Sequence, residues 1–500
     1  MSRLLWGIVL LLAALPSAGQ GFTLRVDAPA YPGQAVLVYT YLDLFTRRTE
    51  RLATALPDST GSATVSGPAT GTQKLRIRVG ETYADLYVRP GSRLHVRYGL
   101  PEPGTPRSMS GTTPAVIELL DLDPLDINAL TSDLNQKLDD FLMEDLATDR
   151  AGGMQALDLV RRGEAAPDTM DRPPTLFVTP NMSSARLDTF ETRLRHFYRG
   201  IDDPWFADHL TYGVAGMRLG PRANDRALYE RLLRDRPIDT TNPEQVRFIR
   251  GFFTELLGTF ALRHHEAATL RALAMPTADS LKAVFARHDF LRDNDALAEL
   301  VMLDQLYTHN EHPGVQRADV LRLIADVATR SAHPAHRTIA ANMHWDLTTM
   351  QRGGTLPAMR LTDLNGRAVD IDTMLNGATC IFITAGWCTW CDLELTGLAQ
   401  LDRTYNGIIP VTVISLDTAL ADAAAHRARH EGHFRHWLHA PAELQLREDL
   451  RIRTLPAIYL LNDDRLEWAP APLPSDGLGA IFHRTRTEAR EKGRTKVWDD

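Results

Sequence analysis

CIFITAGWCTWCDLEL, residues 380–395, decides how the C-terminal part of this 500-residue chain is read. CIFITA is a short continuous apolar run, the pattern of a strand buried on both faces of a sheet. Two cysteines separated by two residues follow, and then DLELTGLAQLDRTY reads as a helix. Cys388 therefore falls at a strand-to-helix junction, near a helix N-terminus. Unpaired backbone N–H groups and the helix dipole favour an anion there. A thiol in that position drops from a pKa of about 8.5 to about 7 or below, which raises its thiolate share at pH 7 from roughly 3% to roughly half. Cys388 is the expected nucleophile. Cys391, one turn along and more buried, is expected to resolve the mixed disulfide.

Other uses of the pair fit less well. A structural zinc site takes four ligands, commonly two such pairs, and the chain has only three cysteines. Covalent c-type haem needs His after the second cysteine, where this chain has Asp392. A peroxidatic cysteine stands alone with Thr or Ser three residues before it, and here that position is Ala385. The third cysteine, Cys380, reads as a small buried hydrophobe. An inert pair stays open, but a bridge closing so short a loop barely constrains the unfolded chain. If it forms, it is there for chemistry.

The N-terminus gives that chemistry an expected setting. Residues 1–20 carry Arg3, an apolar run over 4–15 and then Ser17, Ala18 and Gly19, the layout of a secretory signal peptide. The run is shorter than the roughly 20 residues of a spanning helix, and no cysteine follows for a lipoprotein anchor. Export to the periplasm or cell-surface side is expected, with membrane association only if this segment is retained. Net charge is −8, and no basic block suggests nucleic acid.

The remaining chain, about 480 residues, implies two to four domains at roughly 100–200 residues each. Residues 21–100 alternate with period two, as in KLRIRVG, where Leu75, Ile77 and Val79 oppose Lys74, Arg76 and Arg78. Turn signals separate the runs, so a small antiparallel β domain or sandwich is expected. Residues 101–114 read as a linker. Residues 115–350 read as an all-α region of eight to ten helices: Ile127, Leu130, Leu134, Leu138 and Phe141 share one face, as do Leu187, Phe190, Leu194 and Phe197 after cap candidates Ser183 and Ser184. TNPEQVRFIRGFFTELL begins with a cap, Pro243 and Glu244, a strong helix start. Residues 351–355 read as a hinge. Residues 356–500 alternate strand and helix, the α/β pattern.

Residues from about 356 to 490 resemble the TlpA/ResA-like thiol–disulfide oxidoreductases, a branch of the thioredoxin fold. LPAMRLTDLNGRAVDI resembles the family's opening hairpin with its D-x-x-G turn. AGWCTWC resembles its A-x-W-C-x-x-C, Glu394 matches its acidic residue, and LRIRTLPAIYLL matches the segment carrying its cis-proline. The resemblance implies that Cys388 attacks a substrate disulfide and Cys391 releases it. Glu394 would exchange a proton with Cys391. Pro456, as a cis residue, would set a turn against the sulfurs so that Leu455 offers backbone to a bound peptide. Trp387 would pack beside the motif and shield it. Trp390 stands where family members often have Pro, and so does Thr396. That leaves reductase against oxidase or isomerase open, with reductase the commoner activity. The order of export signal, β domain, helical region and TlpA-like module resembles exported proteins of Bacteroidota.

Expected partners are protein thiols and disulfides and a membrane or periplasmic electron donor. No glycine-rich phosphate loop appears, and no cofactor is expected. His426, His430, His433, His436 and His439 fall within fourteen residues. The i, i+4 pair His426/His430 has metal-ligand spacing, but without H-E-x-x-H these read as histidines of a solvated helix, and no metal is expected. The alternative function is a partner-binding protein whose C-terminal module is weakly active or regulatory.

Overall fold

The computed structural model describes residues 21–80, 82–105, 113–161, 184–220, 223–417, 419–430, 434–452 and 454–492. The expected signal peptide, residues 106–112 of the expected linker, and Ser183 and His433 lie outside them. The chain divides into two compact units, residues 1–105 with 114–344, and residues 106–113 with 345–500.

The first unit opens with strands β1 (Gly21–Asp27), β2 (Val36–Tyr41), β3 (Thr49–Ala55), β4 (Ser62–Pro68), β5 (Gln73–Val79), β6 (Thr82–Val88), β7 (Arg93–Tyr98), β8 (Thr113–Pro114) and β9 (Ile117–Leu120). They form two sheets, ordered β4-β1-β7-β9 and β3-β2-β5-β6-β8. The period-two alternation sends Leu24, Val26, Val65 and Val96 from one sheet and Val38, Leu75, Ile77 and Leu86 from the other into one apolar cluster, the core of a sandwich. On the opposite face of β5, Arg76 sits across from Asp85 and bonds it at 2.8 Å, a cross-strand ion pair. One expectation is corrected: the sheet is not wholly antiparallel, because β1 pairs β7 in parallel.

A second correction concerns residues 115–126. Ile117–Leu120 is a strand, paired antiparallel with β7 from Tyr98↔Ile117 to His95↔Leu120. A four-residue apolar run is too short to form a helix face alone, and the open edge of β7 offers it backbone partners. Helices α1 (Ile127–Arg161), α2 (Ser184–Phe197), α3 (Pro204–Gly216), α4 (Asp225–Leu232), α5 (Pro243–Phe252), α6 (Arg263–Leu273), α7 (Asp279–Phe285), α8 (Asp295–Thr308), α9 (Arg317–Arg330) and α10 (Pro334–Thr348) follow, with a π-helical turn at Leu257–Leu262. At the start of α5, Asn242 caps Glu244 and Gln245 and Pro243 takes the first position, as the TNPEQ signal predicts. The α1 stripe is buried from Ile127 to Phe141. On α2, Leu187 and Leu194 are buried but Phe197 is exposed; the helix ends there, and Tyr198 takes the inward position.

The second unit contains β10 (Leu361–Asp363), β11 (Ala368–Val369), β12 (Ala378–Thr384), α11 (Thr389–Thr404), β13 (Val411–Ser415), α12 (Leu420–Arg429), β14 (His436–His439), α13 (Glu443–Asp449), β15 (Ala457–Asn462), β16 (Arg465–Trp468) and α14 (Leu478–Lys492). Its single sheet runs β11-β10-β14-β13-β12-β15-β16. β12 lies inside it, parallel to β13 and antiparallel to β15. That position explains the unbroken apolar run. Cys380 and Phe382 point into a cluster with Leu395, Leu398 and Phe482 from α11 and α14. Ile381 and Ile383 point into another with Leu446 from α13. Helices thus cover both faces of the sheet.

The D-x-x-G hairpin forms as expected. Asp363 accepts from the backbones of Asn365 and Arg367, and Gly366 takes φ +80°, which favours glycine. The expected hinge does not behave as one. Gly353 N–H donates to Leu466 O and Leu466 N–H to Gly354 O, so residues 353–355 extend the sheet at β16. An edge strand presents unpaired backbone groups, and this segment satisfies them. No helix among the described residues is long and apolar enough to cross a membrane.

Candidate active site

The site is built where β12 ends. Residues 385–388 turn away from the sheet, with Cys388 N–H donating to Ala385 O at 3.0 Å. Gly386 N–H donates to both carboxylate oxygens of Asp417, at 2.8 and 3.0 Å, and Gly386 O accepts from Arg429 at 2.9 Å. A Cβ at residue 386 would stand 3.2 Å from Asp417 Oδ1 and 3.3 Å from His426 Cβ, so glycine is what lets the loop approach Asp417. Asp417 is itself buried and also accepts from Ser415 Oγ at 2.6 Å.

Cys388 is the N-cap of α11, and its Sγ accepts from Cys391 N–H at 3.2 Å. A cap side chain that accepts from a first-turn N–H satisfies one of the helix's orphan donors. The two sulfurs are joined as a disulfide with Cα atoms 5.2 Å apart. Cys388 is 9% exposed and Cys391 is 0%, so of the two only Cys388 has any surface open to solvent. Cys380 is a free thiol, fully buried on β12, and burial pushes its pKa up to about 12.

The other sequence-predicted residues take definite places. Glu394, on α11 three residues beyond Cys391, is buried and accepts from the backbone N–H and hydroxyl of Ser475. The Leu455–Pro456 bond is cis. Leu455 packs against the same apolar cluster that holds both cysteines, and Ala457 pairs with Ile383 near the end of β12. Trp387 is not a shield in the buried sense expected: it is 58% exposed, and Trp390 and Leu393 are also open. The turn after β12 and the outer face of the first α11 turns leave them no core to enter. Three large apolar side chains are thus exposed in and beside the C-x-x-C segment.

Sequence reading gave no site role to four residues that the fold brings together here, Asp392, Asp417, His426 and His430. Asp392, on the first turn of α11, holds Oδ1 2.8 Å from His426 Nε2 and 2.9 Å from His430 Nε2. The solvated-helix reading of these histidines is corrected: His426 is fully buried, its ring edge-on to Trp437. Burial pushes the Asp392 carboxyl up, but bonds from His430 and His426 outweigh it and hold it below the ordinary carboxylate range. Burial pushes His426 down, against the pull of Asp392. The i, i+4 spacing was the visible signal; Asp392 and Asp417 arrive from other elements. The role of Asp417 had no signal in the sequence at all.

An N-capping sulfur near the surface, bonded to a fully buried partner, is suited chemically to thiol–disulfide exchange. No family model matches the chain, and no curated protein matches it. Among solved structures, the chain is similar to a thioredoxin-like protein from Bacteroides caccae at 13% identity and TM-score 0.29, covering 48% of this chain and 91% of that one. It is similar to a thiol:disulfide interchange protein from Bacteroides sp. at 17% identity and TM-score 0.26, over 29% of this chain and 95% of that one. The thioredoxin domain of a thiol-disulfide oxidoreductase from Bacteroides vulgatus is similar at 16% identity and TM-score 0.23, over 28% of this chain and 96% of that one.

Proposed function

We propose that the chain is an exported thiol–disulfide oxidoreductase of the TlpA-like, thioredoxin-fold type, acting mainly as a reductase of protein disulfides. The observation that carries this reading is the Cys388–Cys391 disulfide at the start of α11, with Cys391 fully buried and Cys388 the more exposed of the two. In the reduced form, Cys388 thiolate attacks one sulfur of a substrate disulfide. A new S–S bond forms to Cys388, the substrate bond breaks, and the departing thiolate takes a proton. Cys391 then loses its proton and attacks Cys388 Sγ. The internal disulfide forms, and the second substrate thiolate leaves. Two electrons have passed to the substrate, so an external dithiol donor must reduce the pair again.

The remaining roles belong to the same proposal. The helix N-terminus stabilises the Cys388 thiolate. Glu394 serves as the proton acceptor for Cys391. The exposed Trp387 and the backbone at Leu455 and Pro456 receive the substrate chain. The β sandwich and helices of the first unit select the partner, and residues 1–20 direct export. The test is reduction of a model protein disulfide by the reduced mature protein. Wild type is expected to turn over with a dithiol donor. Cys388→Ser is expected to be inactive; activity retained in that variant would overturn the reading.

A further inference from the structure

We propose that Asp392, His426 and His430 form a binding site for a borderline divalent cation of the zinc class, which would clamp α12 onto the first turn of α11 beside the dithiol. Their ligand atoms all lie within 4.8 Å of one another. Both imidazole Nε2 atoms converge on one oxygen, Asp392 Oδ1, at 2.8 and 2.9 Å. Ligands about 2.05 Å from a tetrahedral zinc stand roughly 3.3 Å apart. Half an ångström of spreading therefore converts the trio into a two-His, one-carboxylate set, with the fourth position left to water. Solvent reaches it from the Asp392 side, whose side chain is 35% exposed.

The hydrogen-bond accounts at His426 point the same way. A neutral imidazole has one N–H and one lone pair. If Nε2 carries the proton toward Asp392, Nδ1 is a buried lone pair without a partner, 3.9 Å from the Asp417 carboxylate. If Nδ1 carries it, the Nε2 lone pair faces Asp392 Oδ1. Either tautomer sets a lone pair against a carboxylate. A cation between Nε2 and Oδ1 removes the conflict: Nδ1–H then aims at Asp417, the usual support for a metal-bound histidine. A protonated imidazole would satisfy both carboxylates as well, but would take up no Zn2+ in the titration. Arg429 lies 3.4 Å from the other oxygen, Oδ2. It leaves Oδ1 to the histidines, and its charge holds the affinity below that of an all-acidic surround. In the second comparable cluster, Glu299 with His333 and His336, Ser331 Oγ–H already donates to the carboxylate oxygen that His336 meets, and His333 Nε2 pairs with Asp295 instead of Glu299.

The test is titration of the oxidised full-length mature protein with Zn2+ against a chromophoric chelator, repeated with Co2+ for its visible spectrum. Keeping the disulfide intact prevents the thiolates from acting as ligands. One equivalent is expected, with a cobalt spectrum free of sulfur charge transfer. Asp392→Asn and His430→Gln, neither at a fully buried side chain, should each weaken binding about 100-fold, at the upper end of what even supporting residues are worth. His333→Gln should leave it unchanged. Absence of a stoichiometric site, a site the first two variants leave intact, or binding only after reduction of the disulfide would overturn the proposal. The readout involves no thiol exchange, so its failure would leave the redox reading standing.

Discussion

Asp417 holds the loop that carries the reactive sulfur, and removing it should cost unit stability of a calculable size. Its carboxylate takes two donors, Gly386 N–H and Ser415 Oγ–H, in a site it shares with no solvent. Hydrogen bonds to a charged acceptor contribute roughly 1.5–3 kcal/mol each. Asp417→Ala leaves both donors buried and unpaired, a loss of about 3 kcal/mol at the lower figures. Asp417→Asn loses the charge and one acceptor oxygen but keeps the other for Gly386 N–H and offers an amide N–H that Ser415 Oγ can accept, a loss of about 1 kcal/mol. For a unit of this size the alanine variant should melt about 6–12 °C lower. Intrinsic fluorescence is a suitable probe. Among the described residues Trp345, Trp387, Trp390, Trp437 and Trp468 lie in the second unit and only Trp205 in the first. Urea titration of the oxidised protein should give the order wild type, Asn, Ala with an unchanged slope. An alanine variant within about 1 kcal/mol of wild type, or an asparagine variant less stable than it, would refute the assigned role.

Cys391→Ser should accumulate a mixed disulfide between Cys388 and substrate, seen as a reducible adduct on non-reducing gels, whereas Cys388→Ser should give none. Cys380 should resist alkylation in the native protein even after Cys388 and Cys391 are reduced, since it is fully buried and burial holds its thiol near pKa 12; mass spectrometry should find one label, on Cys388, before denaturation and three after. His209, buried against Trp205 and Tyr87, has its pKa pushed down to about 4 by burial. Below pH 6.5 the unfolded chain binds a proton that the folded chain refuses. The first unit should therefore lose stability as pH falls from 6.5 toward 4, by about 3 kcal/mol in full, and His209→Phe should flatten that slope in denaturation curves read by circular dichroism.

The parts of the site legible in the sequence were those written in one continuous segment. The strand run, the cysteine spacing and the helix after them place Cys388 as a cap because each step depends on adjacent residues. The alternation in KLRIRVG likewise sends Leu75, Ile77 and Val79 to the core. Readings failed where a distant edge decided the outcome. Ile117–Leu120 became a strand because β7 had an open side, and Gly353 and Gly354 joined β16 for the same reason. Trp387 looked like packing material, but it sits on a turn that faces outward. Asp392, Asp417, His426 and His430 meet only because α11, β13 and α12 are neighbours, and spacing along the chain records one i, i+4 pair of that group.

The most direct test is the reduction potential of the Cys388–Cys391 pair in the mature protein, by equilibration with defined thiol buffers. A reductase predicts a two-electron titration at about −270 mV or lower, in the range of thioredoxin. A value of about −120 to −180 mV would reverse the proposed direction, and a pair that does not titrate would contradict the account of Cys388 and Cys391 as a redox-active dithiol.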